Sequence, residues 1–265
     1  MRGEAAEALT VAPPHRLELM AVSGLPLIRA GDDLAALVTT RLAADGRELG
    51  DGDVLVFAQK IVSKAEGRVV DLGTVEPSPR ARTLARRAEK DPRLVEVILA
   101  ESRRVVRCRR NVLIVEHRLG FVMANAGIDQ SNVAGSDEQV LLLPEDPDAS
   151  AARLRGEIGR LTGRDVGVVV SDSFGRPWRI GTVGVALGCA GLPAVLDLRG
   201  EPDLFGRRLE VTVVGHADEV AAAASLVMGQ AAEARPVVLV RGLGRDRDAA
   251  PAAALIRPEA EDLFR

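Results

Sequence analysis

GVVVSDSFGRPWR, residues Gly167–Arg179, changes character halfway along its length. The apolar run Val168–Val170 predicts a strand buried on both faces, the kind found in sheets covered by helices on each side. Such strands deliver ligand-binding groups at their exits, and Asp172 and Ser173 stand there. A carboxylate beside a hydroxyl offers two hard oxygens to Mg²⁺ or Mn²⁺. Gly175 lets backbone come close to a ligand, and Arg176 or Arg179 can fork onto a phosphate. A turn closed by Asp and Ser, with its arginines in water, accounts for the same residues, so the decision falls to other stretches.

Before this segment, Leu17–Val22 alternates as a strand, Ser23–Arg29 (SGLPLIR) is a turn, and a helix begins near Asp32 or Asp33. Asp51–Phe57 is a turn and strand, followed by AQKIVSKAEG. There Lys60 and Lys64 share a face whether the segment is helical or extended, so they can converge on an anion or stand as ordinary solvated lysines. Arg80–Val106 reads as a long charged helical region broken near Asp91–Pro92. Its ESRRVVRCRR end is a solvated face or a guide for an anionic substrate. Asn111–Glu116 and Phe121–Ala124 form a hairpin around HRLG. The loop after it, ANAGIDQSNVAG, carries Asp129, Ser131 and Asn132 and is a second candidate site.

Ala151–Leu161 is a helix leading into the central strand, and IGTVGVALGCAGLPAVLDLRG after Arg179 is small and apolar, as close backbone packing requires. Arg208–Val214 alternates as a strand. A helix follows from Ala217 to about Ala234, with Met228, Gly229 and Gln230 near its end. Pro236–Val240 is a last buried strand, and the chain from Gly242 reads as loose. The expected organisation is a mixed α/β (α+β) unit over 17–245, as one large domain or two modest lobes, with tails at 1–16 and 246–265.

The chain of 265 residues has 35 basic and 38 acidic residues and a net charge of −3, which gives no footprint for nucleic acid. Six aromatic residues, five Phe and one Trp, leave few platforms for stacking bases. Cys108 and Cys189 are far apart and lack metal-ligand spacing, as in reduced intracellular proteins. No apolar run is long enough for a membrane span and the N-terminal stretch has no signal-peptide core, so a cytoplasmic protein is expected. HExxH, GxxxxGK[ST] and GxGxxG are absent, and His15, His117 and His216 lie outside both candidate loops. Two acids, a hydroxyl, two lysines and several arginines remain. That set suits phosphoryl transfer, in which the protein positions groups and neutralises charge while the substrates bring the nucleophiles.

Taken in order, SGLPLI, QKIVSKAEG, ESRRVVR, GFVMANAGID-SN, VVVSDSFGRPWRIG, LVMGQ and PVVLVRG resemble the coenzyme F420-0:L-glutamate ligases, also called F420:γ-glutamyl ligases, from Leu17 to Gly242. The resemblance implies a family-specific mixed α/β fold in an intertwined homodimer with sites near the subunit interface. It implies a GTP-dependent ligase that joins L-glutamate to the lactyl carboxylate of F420-0 and adds further glutamates through γ-linkages. By the same resemblance Leu25, Pro26, Leu27 and Ile28 line the GTP site, and Gln59, Lys60 and Lys64 reach its phosphates or base. Asn132 and Met228, Gly229, Gln230, Ala231, Ala232, Glu233, Ala234 and Arg235 contact the nucleotide. Asp129, Asp172, Ser173 and Gln230 hold two Mg²⁺ or Mn²⁺ ions, K⁺ accompanies them, and Asp129, Asp172 and Lys64 are the catalytic set. Gln59 stands where the family often has serine, and Ser173 where threonine is common; Ser173 keeps the oxygen ligand. Some relatives carry an added flavin-binding reductase-like domain, for which this chain is too short, so the stand-alone form is expected. A ligase or kinase for another carboxylate and a non-catalytic GTP-binding regulator are the competing readings.

Overall fold

A computed structural model describes residues 16–130, 138–243 and 248–262. Its centre is a five-stranded sheet in the order β1 (Glu18–Val22), β12 (Val237–Arg241), β2 (Val54–Ala58), β8 (Gly167–Arg176), β9 (Arg179–Ala190). β2 and β8 are parallel and every other pairing is antiparallel. Alternation along each strand sends side chains to opposite faces. Leu55, Phe57, Val168, Val170 and Leu239 pack under helices α1 (Leu34–Ala44) and α5 (Pro147–Thr162). Val54, Val56, Val169, Val238 and Val240 pack under α6 (His216–Met228). Val168, Val169 and Val170 are fully buried, as the apolar run requires. A layer of helices therefore covers each face.

Helix boundaries follow local chemistry. Asp33 caps α1 by accepting the Ala36 N–H at 2.9 Å. Pro147 opens α5 behind the cap Asp146, and Gly163 closes it at φ 68°. The alanine-rich helix α6 stops at Gly229, φ 76°, short of the sequence expectation of about Ala234, because this glycine turns the chain where a β-carbon would be strained. Close approach explains two of the three glycines of β9: a β-carbon at Gly188 would overlap the Pro147 carbonyl, and one at Gly184 the Ala221 carbonyl.

A second assembly joins through α2 (Gln59–Ala65), which follows β2 directly. β3 (Val69–Asp71) pairs with β7 (Gln139–Leu141), and β4 (Ser102–Arg109), β5 (Val112–His117) and β6 (Val122–Ala124) form an antiparallel sheet packed by α3 (Pro79–Ala88) and α4 (Pro92–Ala100). The β5–β6 hairpin agrees with the sequence reading. ESRRVVRCRR does not: it is strand β4, not the end of a helix. Its Val105 and Cys108 pack on the apolar core while the arginines point outward, a period of about three that a bulged edge strand shares with a helix. Arg208–Val214 is strand only at β11 (Val213–Val214), paired with β10 (Leu196–Asp197). The stretch read as a loose tail is docked: Asp148 accepts the N–H groups of Ala252 (2.8 Å) and Ala253 (3.1 Å), and Ala252 is fully buried. Among the described residues no helix is long and apolar enough to cross a membrane.

Candidate active site at one edge of the sheet

In a parallel pair both strands leave the sheet at the same edge. Ala58 on β2 is in register with Ser171 on β8, so the residues that follow, Gln59 and Lys60 at the start of α2 and Asp172 on β8, start side by side. β1 runs antiparallel to β12, as β2 does, so Ser23–Ile28 leaves from this edge too. β12 enters there, with the Pro236 carbonyl accepting the Ala58 N–H at 2.8 Å. Four separated sequence stretches thus meet at one place because of strand direction alone.

Asp129 arrives by a different route. Its backbone exchanges hydrogen bonds with Leu141 (3.0 and 2.8 Å), and Leu141 is paired through β7 with Val69 on β3, four residues beyond α2. This carries Asp129 back to the helix holding the lysines, where Lys60 Nζ lies 2.5 Å from Asp129 Oδ2. Asp129 and Asp172 sit in one electrostatic neighbourhood. Burial pushes the Asp172 carboxyl up to about 6. The Ser173 N–H and the Lys60 ammonium pull it down, and the Asp129 carboxylate adds to the rise. Asp172 keeps some exposure to water, yet protein surrounds the carboxyl densely enough for desolvation to dominate. Lys64 lies below the ordinary lysine range, chiefly through burial and then through Lys60, with Asp129 opposing.

The remaining sequence candidates are placed as follows. Asp172 and Ser173 lie within β8 rather than at its end, because the pairing with β9 runs on to Arg176 and Arg179. The pleat then turns their side chains to opposite faces. Ser173 pairs with Gly184, the residue that backs onto α6, whereas Asp172 faces α2. Gln59 is buried, with its Oε1 accepting the Ser63 hydroxyl at 2.9 Å. Ile28 is spent in the core and Leu25 packs partly against it, while Pro26 and Leu27 are exposed. Gly229 ends α6, and Gln230, Ala231, Ala232, Glu233, Ala234 and Arg235 form an exposed segment leading to Pro236. Asn132 and Ser131 lie outside the described residues. Sequence reading missed Asp148 and Asp218, which accept the N–H groups of Cys189 and Ala186, each at 2.8 Å, along β9. Their only sequence signal is an acid in the first turn of a helix.

The donor set suits a hard divalent cation in part. Two carboxylates share one neighbourhood and one of them is held against ionisation, a cost that a cation between them would remove. Among the described residues no group of three or more His, Cys, Asp or Glu side chains gathers to hold a metal, so phosphate or water oxygens would complete the shell, as is common for Mg²⁺.

The fold is a mixed α/β scaffold that brings Asp129, Asp172, Lys60 and Lys64 to one sheet edge. The chain belongs to the F420-0:Gamma-glutamyl ligase family, whose model matches residues 24–242. It is 49% identical over 251 residues to the coenzyme F420:L-glutamate ligase of Methanothermobacter thermautotrophicus, covering 94% of this chain and 99% of that one. The enzyme of the same name from Methanopyrus kandleri is 48% identical over 256 residues, with the same two coverages. That from Methanocaldococcus jannaschii is 43% identical over 249 residues, covering 91% and 94%.

A carboxyl whose folded pKa is raised from 3.8 to about 6 contributes stability that is whole below the unfolded value and is lost as pH rises through the folded one. Asp172→Asn removes that loss. In metal-free buffer the variant should melt above wild type at about pH 8, and the gap should close by about pH 4. Calorimetric melts across this range check it; a gap that does not change with pH contradicts it.

Proposed function

We propose that the protein is a GTP-dependent ligase that joins L-glutamate to the carboxylate of coenzyme F420-0 through an acyl phosphate, and extends the product through γ-linked glutamates. The observation that carries this is the meeting of Asp129, Asp172, Lys60 and Lys64 where β2 ends beside β8, in a chain of the F420-0:Gamma-glutamyl ligase family.

The chemistry requires activation. A carboxylate cannot be attacked directly by an amine because the leaving group would be oxide. Transfer of the GTP γ-phosphoryl group to a carboxylate oxygen gives GDP and an acyl phosphate. The glutamate nitrogen then bonds to the carbonyl carbon, the bond from that carbon to the phosphate oxygen breaks, the nitrogen loses a proton, and inorganic phosphate departs. No protein nucleophile is needed; the residues position groups and offset charge. Lys60 and Lys64 place two ammonium groups one helical turn apart against the polyphosphate. An arriving triphosphate competes with Asp129 for the Lys60 ammonium, an exchange within a single site. Asp129 and Asp172 would hold the divalent cation, which when bound supplies Lewis-acid neutralisation of the phosphate oxygens. Alignment of the reacting groups lowers such barriers by about 7–11 kcal/mol.

The working unit in this reading is a homodimer. Trp178 and Ile180 stand exposed at the tip of the β8–β9 hairpin, and Leu204, Phe205 and Val211 are exposed before β11. Apolar surface of this extent favours cover by another chain.

With GTP, Mn²⁺, L-glutamate and F420-0, mass spectrometry should find glutamylated product from wild type and almost none from Asp172→Asn, whose circular dichroism stays native. Lys64→Ala should raise the KM for GTP by about tenfold, the loss of one charge-assisted bond. Full activity in Asp172→Asn contradicts the assignment. Light scattering should give twice the chain mass for wild type and a monomer for Ile180→Asp; a monomeric wild type removes the dimer.

A further inference from the structure

A cavity of about 220 Å³ lies against β9, beside the acids. It is lined by Phe121, Phe174 and Val185, by Asp218 in the first turn of α6, and by Ile256 and Arg257 of the docked tail. Two walls tie it to the site. Phe174 lies two residues beyond Asp172 on β8 and so shares its face, and its ring meets Phe121 edge-on at 5.9 Å. Val185 is the register partner of Asp172 on β9, which puts their β-carbons about 4.5–5.5 Å apart. The cavity therefore begins one side chain away from Asp172.

Its polar groups are one acid and one guanidinium. Asp218 uses Oδ1 to accept the Ala186 N–H at 2.8 Å, and among the described residues neither Asp218 nor Arg257 enters an ion pair, with each other or with anything else. Burial holds the Asp218 carboxyl above its usual range, with the Ala186 N–H opposing. The volume falls below the roughly 300 Å³ at which drug-sized ligands begin, too small for a nucleotide or a tricyclic ring system. A compact ligand bearing both charges fits: an α-amino acid.

We propose that this cavity seats the incoming L-glutamate, with Asp218 facing its ammonium group and Arg257 one of its carboxylates. The assignment rests on the ligase reading above, in which the amino acid is the one reactant of this size that carries both charges. It sets the amine at the edge strand β9, beside the start of α6.

The test is the kinetics of Arg257→Ala and Asp218→Asn, the second of which keeps an oxygen for the Ala186 N–H, together with calorimetric titration of L-glutamate into each full-length protein. Both variants should raise the KM and Kd for L-glutamate by about tenfold or more. The KM values for GTP and F420-0 should stay at wild type, and neither variant should melt below it. Unchanged glutamate KM and Kd in both variants overturn the pocket, as does a rise in the GTP value instead. Wild type that binds L-glutamate and loses it in the variants, yet forms no amide, keeps the pocket and removes the ligase reading. Wild type that neither binds nor ligates glutamate removes both.

Discussion

The parallel register of β2 with β8, Ala58 opposite Ser171, is the constraint on which the site depends. It ends β2 beside the point where β8 carries Asp172, so the helix with Lys60 and Lys64 starts next to that acid. The register is held by burial on both faces. Phe57, Val168, Val169 and Val170 are fully buried, and each such side chain contributes about 1.5–3 kcal/mol relative to exposure. A slip of one residue would exchange the side chains packed under α1 and α5 with those packed under α6. The same slip would move Asp172 off the α2 face, so packing and chemistry are secured by one set of contacts.

The site spends some of the stability this core provides. Asp172 is desolvated beside a second carboxylate, and Lys64 is partly buried beside a second ammonium. Each like-charged pair disfavours folding, and the cross pairing of Lys60 with Asp129 offsets part of the cost. Groups held away from their ordinary protonation behaviour in this way are common where a protein handles charged ligands. Gly184 and Gly188 let α6 and α5 lie directly on β9. Asp218 and Asp148 then take up N–H groups of that edge strand.

The central strand was legible because Val168–Val170 is apolar without alternation, which a strand covered on both faces requires and an exposed one does not tolerate. Strand β2, helix α5 and the β5–β6 hairpin were legible from period and turn residues. Strand β4 was not: bulges shift its pattern toward the spacing of a helix, and arginine is a good helix former. The continuation of β8 past Asp172 was hidden because SDSFG has turn composition, and only pairing with a distant strand keeps it extended. Asp129 and Asp172 were visible as residue types in suitable loops. Their common neighbourhood depends on Leu141 and Val69, whose pairing is a long-range contact with no local signature. Asp218 and Arg257 were invisible for the same reason, since a cavity between a helix start, a strand edge and a docked tail exists only in three dimensions.

The central claim is that Asp129 and Asp172 work as one cation-holding pair beside the α2 lysines. Anomalous diffraction from crystals grown with Mn²⁺ and GTP tests it most directly. The account predicts a manganese peak in contact with both carboxylates, with the triphosphate against Lys60 and Lys64. Manganese bound elsewhere, or the two carboxylates turned into separate regions of the molecule, would contradict it.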